Sequence, residues 1–480
     1  MTSKEIYLDK SIWIVVFCGA FLVASFSFLG LKIATIAAVI LICAVVIFLR
    51  ARPARVFCFL MLAACYERPV LDFGIGIRGT IKLVDLVIVA LFIFASLNFS
   101  NKKIFPLQAD KKVRYCLTAL LIIALGSVAS VVLVGNYPSE AKIKATYYFV
   151  VFFEYIAAFF LLQKIRINQL EVEAYSAIFL FGLVLVAVVA ILQGLGLVEN
   201  TYYTSVDNID TNIADDWAIS TLGPNHSHLG SYMALGFVLA ATFLHLKFRI
   251  KYLLMIPFFI TAIGFAHSAV GIAMVGLHVI VITLTGNKRI KPIGIFLIIV
   301  SSVFFAIYLG GSTGVPTERT VDKFDVSGAD SELVVRSVLL PVNMLSYGYR
   351  SAPWAVPFGF GFRVPDYTVQ GLKPTGDNNY FSVIMDLGFV GLSIFTLFVI
   401  SMYKKLSSAK RFSPSKSSRI FNYHLSIWFV VVAVSMFFQE IIWPLHSRGS
   451  TMLIFLMIFQ MGISSSIVAK RENLLQGERR

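Results

Sequence analysis

YLLMIPFFITAIGFAHSAVGIAMVGLHVIVITLT, residues Tyr252–Thr285, runs for 34 residues without a charged side chain, between Lys247, Arg249 and Lys251 on one side and Lys288, Arg289 and Lys291 on the other. A membrane-spanning helix takes about 20 apolar residues, so the stretch reads as one long helix or two short ones. Charge decides between them. Both flanks are rich in Lys and Arg, which marks the cytoplasmic side of a membrane protein, and an even number of crossings must separate two cytoplasmic flanks. The stretch therefore folds as two short helices that break near His267.

The same reading extends along the chain. Of 480 residues 58% are hydrophobic and only 14% charged, whereas soluble domains run near 45 to 50% apolar and about 25% charged. Apolar runs lie near 11–29, 33–49, 54–66, 81–98, 115–134, 145–163, 174–193, 229–246, 252–266, 268–285, 292–310, 381–403, 421–441 and 450–468. The expected fold is all-α: a polytopic integral membrane protein of about 14 transmembrane helices, forming a single domain over residues 1–480. With the N-terminus inside, the cytoplasmic segments hold 28 Lys and Arg against 7 Asp and Glu, and the rest of the chain 13 against 19. Both termini are then cytoplasmic, and the formal charge of +15 follows membrane sidedness and gives no ground for a nucleic-acid partner. The first apolar stretch, Ile12 to Leu29, is too long for a signal-peptide core and reads as an anchor. Cys18, Cys43, Cys58, Cys65 and Cys116 lie in apolar runs or at their edges, with neither metal spacing nor loop pairing.

Two translocated segments are too long to be connectors: 194–228, and 311–380 between the eleventh and twelfth spans. Long loops in compact folds are usually functional or disordered. The second is rich in aromatic, Gly, Pro and Arg residues, as expected of an ordered lid. Val335, Leu339 and Val342 share a helical face within Val334–Tyr347, so Arg336 rides a short amphipathic helix. Arg319, Arg336, Arg350, Arg363 and Arg448 stand on the side where positive charge is normally avoided. Guanidinium forks bind phosphate oxygens bidentately and stay charged, which suits a lipid-linked diphosphate at the membrane surface. They can equally pair with Asp322, Asp325, Asp330, Glu332 and Asp366 in a solvated loop. There is no phosphate-binding P-loop, dinucleotide fingerprint, His-Glu-x-x-His or Cys-x-x-Cys, so nucleotide hydrolysis and a metal site have no sequence support. No cofactor is expected.

Thr375-Gly376-Asp377-Asn378-Asn379-Tyr380-Phe381 runs into Met385-Asp386-Leu387-Gly388-Phe389-Val390-Gly391-Leu392. This resembles the signature of the O-antigen ligase and polymerase superfamily, in which His-Asn-x-Tyr-Leu leads into a span reading Glu-x-Gly-Leu-x-Gly-Leu. Asn378, Tyr380, Asp386, Gly388, Gly391 and Leu392 match. Arg336 followed by Pro357-Phe358-Gly359-Phe360-Gly361-Phe362 is similar to the family's Arg-bearing loop helix and Gly-x-Gly turn. Gly223-Pro224-Asn225-His226-Ser227-His228-Leu229 looks like its Asn-Pro-Asn-type turn. These landmarks cover about half of the chain. It departs from the family at Asp377, where ligases carry a functional His, and at Ser268-Ala269, where relatives carry Ser-Arg. The first departure favours a polymerase over a ligase.

The resemblance implies glycosyl transfer between undecaprenyl-diphosphate-linked oligosaccharides, donor and acceptor both, in a bacterial inner membrane with the 311–380 loop periplasmic. The bilayer and a chain-length regulator are the partners it implies. Arg336 would neutralise the leaving diphosphate without a metal, and Asp377 or His226 would take the acceptor hydroxyl proton. Arg319, Arg350, Arg363, Arg448, Asn378, Asn379, Tyr380 and Glu440 are the expected substrate contacts. Glu440 is an intramembrane carboxylate and hence a functional candidate, or else an ion-pair partner of Arg448. Asp377 and Asn378 can instead cap the helix that begins at Tyr380, and His226 and His228 can be interfacial residues of a helix start. Glu154 lies inside the sixth span, with Lys144 and His228 as candidate partners. The alternatives to a polymerase are a ligase that moves finished glycan onto lipid A core, and a flippase or transporter for lipid-linked oligosaccharide.

Overall fold

A computed structural model describes residues 31–66, 69–72, 80–98, 111–134, 139–198, 226–286, 291–292, 294–299, 342, 346, 355–359, 361, 378–413, 415–437 and 451–477. Within these residues the chain is a bundle of apolar helices. In order they are α1 (Leu31–Ala51), α2 (Arg55–Ala64), α3 (Leu83–Asn98), α4 (Lys111–Ala129), α5 (Ser139–Leu162), α6 (Gln169–Gly194), α7 (His226–Leu246), α8 (Ile250–Phe265) and α9 (Ala269–Thr285). A four-residue turn of helix, α10 (Ala355–Phe358), precedes α11 (Asn379–Phe412), α12 (Lys416–Ser435) and α13 (Thr451–Gly477). Five stretches are long and apolar enough to cross a bilayer: Lys111–Leu133, Ala145–Leu162, Gln169–Gly194, His228–Leu246 and Asn379–Arg411. Six shorter apolar helices stand among them. The expected span at 11–29 and most of that at 292–310 lie outside the described residues.

One element departs from the all-α expectation. Pro69–Asp72 (β1) and Thr80–Lys82 (β2) pair antiparallel, Leu71 opposite Ile81 and Asp72 opposite Thr80. Strands this short between two helices carry no period long enough to read from sequence.

The break near His267 is present: α8 and α9 meet at a turn in which His267 takes a φ of 47° and Ser268 caps α9, its hydroxyl accepting from the Gly271 N–H at 3.1 Å. The basic turns gather at one end of the bundle. Arg52 bridges to Glu171 at 2.7 Å and Lys247 reaches Glu173 at 3.7 Å, so the α1–α2 and α7–α8 turns both lie against the start of α6. There Asn168 and Glu171 form a reciprocal capping box. This is the basic end; the starts of α3, α7 and α11 belong to the opposite, far end.

Helix α7 is central, 89% of its apolar stretch being buried, with α6, α8, α9 and α12 around it. In lipid, helices associate through close packing rather than through water exclusion, so small residues sit where axes approach. Gly230 of α7 and Gly271 of α9 make such a crossing, since a Cβ on Gly271 would stand 3.0 Å from the Gly230 backbone. Large apolar side chains face outward instead, among them Ile47, Leu133 and Leu284 at 67%, 80% and 73% exposure. An apolar exterior of that kind belongs against lipid.

Candidate functional site

At the far end the first turn of α11 is fastened to the last turn of α12. Asn378 has an extended backbone and its Oδ1 accepts from the Phe381 N–H at 3.1 Å, a side-chain cap of the kind its sequence position allows. The Asn379 N–H donates to the Met436 carbonyl at 2.8 Å. The Tyr380 hydroxyl donates to the Ala433 carbonyl at 2.8 Å, and its ring packs 4.4 Å from that of Phe437. Asn378 and Asn379 are both buried, at 8% and 0% exposure.

Nine residues into α11 the helix breaks. Gly388 has φ 69° and ψ −171°, a conformation open essentially to glycine alone. A break inside a membrane helix frees backbone groups that must find partners or line a polar cavity. The Asp386 carbonyl is taken by the Ser127 hydroxyl of α4 at 2.9 Å. On the other side lies the turn after α10, where Gly359 and Gly361 have φ of 85° and 110°. A Cβ on Gly359 would overlap the Asp386–Leu387 peptide, and a Cβ on Gly388 the Pro357–Phe358 peptide. Two glycines 29 positions apart therefore press backbone on backbone, and the Gly-x-Gly turn is seated on the Asp386-Leu387-Gly388 segment.

A second polar group forms where β2, α3, α5 and α7 meet. The Asp85 carboxylate accepts from the Lys82 backbone N–H at 2.8 Å and so caps the first turn of α3. The Lys82 ammonium, on a residue only 5% exposed, acts electrostatically on Asp85, on Glu154 of α5 and on His228 of α7. Asp85 and Glu154 also repel each other. Among the described residues the charged neighbours of Glu154 are Lys82 and Asp85, and His228 shares the same lysine, while the side chain of Lys144 lies outside the described residues. One cation between two carboxylates beside an imidazole is an arrangement that can hold or pass a proton, or accept a cationic or hydroxyl-bearing ligand.

Between α7, α11, α12 and α13 lies a narrow apolar cleft, lined by Tyr232, Leu406, Trp428, Val432, Phe455 and Ile458 among others. Thr451 and Ser231 stand in its wall near the far end, and Leu406 and Leu425 lie toward the basic end.

Of the residues singled out from sequence, Asn378, Asn379 and Tyr380 stand at the start of α11 against α12, and the Gly359 turn is seated further along the same helix at Asp386–Gly388. His226 opens α7. Arg319, Arg336, Arg350, Arg363, Asp377, Glu440 and Arg448 lie outside the described residues. Lys82 and Asp85 were missed, although two charges in the opening residues of the 81–98 apolar run were a visible signal. Among the described residues no three His, Cys, Asp or Glu side chains converge as a metal site would require. No family model and no curated protein matches the chain.

Proposed function

We propose that the protein is a membrane glycosyltransferase that polymerises undecaprenyl-diphosphate-linked repeat units into O-antigen or a related surface polysaccharide. The observation that carries this reading is the seating of the Gly359 turn on Asp386–Gly388, on the helix that Asn378–Tyr380 open. Those residues bear the sequence resemblance, and the contact ties the part of the 311–380 segment around Gly359 to α11. The apolar cleft beside α11 and α12 supports the reading too, as a seat for a polyprenyl tail whose diphosphate lies at the level of the loop.

In the proposed reaction the acceptor hydroxyl oxygen attacks the anomeric carbon of the donor as the carbon–oxygen bond to the diphosphate breaks. The hydroxyl proton passes to Asp377 or His226. Arg336 neutralises the charge that develops on the departing diphosphate, with Arg319, Arg350, Arg363 and Arg448 holding it at the surface. Glu440, Asn378, Asn379 and Tyr380 complete the walls. The chemistry needs neither nucleotide nor divalent metal. The enzyme works in the bacterial inner membrane, with about 14 spans, cytoplasmic termini and the 311–380 loop in the periplasm.

A second reading, a transporter of lipid-linked oligosaccharide, is favoured by the Lys82–Asp85–Glu154–His228 group, because transporters place ionisable residues within the bundle. Deleting the gene in its host and sizing surface and lipid-linked glycan on one gel separates the readings. Acceptors carrying a single repeat unit, with the long ladder gone, support the polymerase. Long lipid-linked chains that never reach the final acceptor indicate a ligase, and single units trapped inside indicate a transporter.

A further inference from the structure

Three histidines far apart in sequence line up inside the basic half of the bundle. His245, in the last turn of α7 and two residues before Lys247, places Nδ1 at 3.1 Å from Nε2 of His424 on α12. His424 in turn places Nδ1 at 3.5 Å from Nε2 of His278 on α9. The ring centroids are 5.4 Å and 5.7 Å apart. His245 is half-buried next to the exposed basic turn, whereas His424 and His278 are 1% and 0% exposed. The Nδ1 of His278 has no hydrogen-bond partner among the described residues.

Buried imidazoles on three separate helices are costly unless their nitrogens are matched. The contacts use opposite nitrogens of His424, so one metal ion, bonded to each ligand nitrogen at about 2.0–2.1 Å, cannot take all three rings. They do match as a hydrogen-bonded chain in which His245 gives to His424, His424 both receives and gives, and His278 receives. Other groups face it: Tyr423, whose ring lies 5.4 Å from that of His424 and whose hydroxyl bonds Thr285 of α9; Lys416, which opens α12 and acts on His245; and Lys410 of α11, over the Tyr423 ring. Glu173 of α6, bound to Lys247, is the nearby carboxylate on the basic rim.

We infer that His245, His424 and His278 form one buried proton-binding site, loaded from the basic end and shared by the three rings. A proton arriving on Nε2 of His245 forms one N–H bond there. The Nδ1–H of His245 is then released to Nε2 of His424, and the Nδ1–H of His424 to Nε2 of His278. At His245 and His424 one N–H bond forms as another breaks, at His278 one forms and none breaks, no electrons are exchanged, and the net change is one added proton and its positive charge. Among the described residues the Nδ1–H of His278 has no acceptor, so within them the chain of rings ends there. The inference stands independently of the proposed glycosyl transfer.

Proton uptake by the full-length protein in lipid nanodiscs, read with a pH-indicator dye over about pH 8 to 5, where imidazoles change charge, tests this. A shared site predicts that His424→Phe and His424→Gln each lose about one proton per chain, and that replacing all three histidines loses no more than that. His424→Gln keeps an amide hydrogen bond to His245 while being unable to hold the proton, so it reports even if the Phe variant folds poorly. Uptake unchanged in both variants overturns the inference, as do losses that add residue by residue. Binding of one zinc ion per chain that vanishes in His424→Gln overturns it in favour of a metal site.

Discussion

Gly388→Ala is the sharpest perturbation of the junction between loop and bundle. Two costs combine. The backbone at φ 69° and ψ −171° is closed to alanine, and holding a non-glycine residue there costs about 1–3 kcal/mol. The new methyl also overlaps the Pro357–Phe358 peptide, and forcing an atom into a packed contact costs about 1–3 kcal/mol more. The total of about 2–6 kcal/mol is a large part of the 5–15 kcal/mol that holds a typical fold together. Gly359→Ala meets the Asp386–Leu387 peptide from the other side and should cost a similar amount. Because both methyls break the same contact, the double variant should lose less than the sum, by a coupling of about 0.5–3 kcal/mol. Gly126→Ala is the control: it neighbours Ser127 on α4, and an added methyl meets no atom within 4 Å, so it should be neutral or gain up to about 1 kcal/mol. Thermal unfolding of the purified variants in one detergent checks all four. A Gly388→Ala protein that melts like the wild type, or strictly additive losses in the double variant, would refute the backbone-on-backbone contact.

Tyr380→Phe keeps the ring on Phe437 and deletes the bond to the Ala433 carbonyl; a loss of about 0.5–1.5 kcal/mol is expected in the same melting assay, and none would mean that the bond does not tie α11 to α12. Lys82→Met removes the cation between Asp85 and Glu154 and should cost about 3–5 kcal/mol, seen as a fall in the yield of monodisperse protein. Adding Glu154→Gln should recover part of that yield, and no recovery would show that the two carboxylates are not the groups Lys82 neutralises. Arg336→Ala should abolish chain extension at normal protein level, with glycan of full length removing Arg336 from the site. Asp377→Asn should shorten or abolish the ladder if Asp377 takes the acceptor proton, and an unchanged ladder would leave it as a helix cap.

The helices were legible because hydropathy is a local property: the charge-free run from Tyr252 to Thr285, between two basic clusters, specified two helices and a break at His267, and His267 is where the chain turns. The capping role of Asn378 was legible for the same reason, a short polar side chain before an apolar run. The break at Gly388 was not, since an apolar run reads alike whether its helix is straight or broken. Only the Pro357–Phe358 backbone lying against it explains the glycine. Lys82 lies 72 positions from Glu154, and His245, His278 and His424 are single histidines in separate apolar runs. Such groups come together through the order in which helices pack, and no periodicity in any one helix records that order.

Purified full-length protein in nanodiscs, given a synthetic polyprenyl-diphosphate-linked repeat unit as its sole substrate, tests the proposed polymerisation most directly. Lipid-linked products of two and more units, released together with polyprenyl diphosphate and formed equally well in EDTA, are the predicted result. Repeat units that stay single, while the same protein in sealed vesicles moves them from one leaflet to the other, would contradict it.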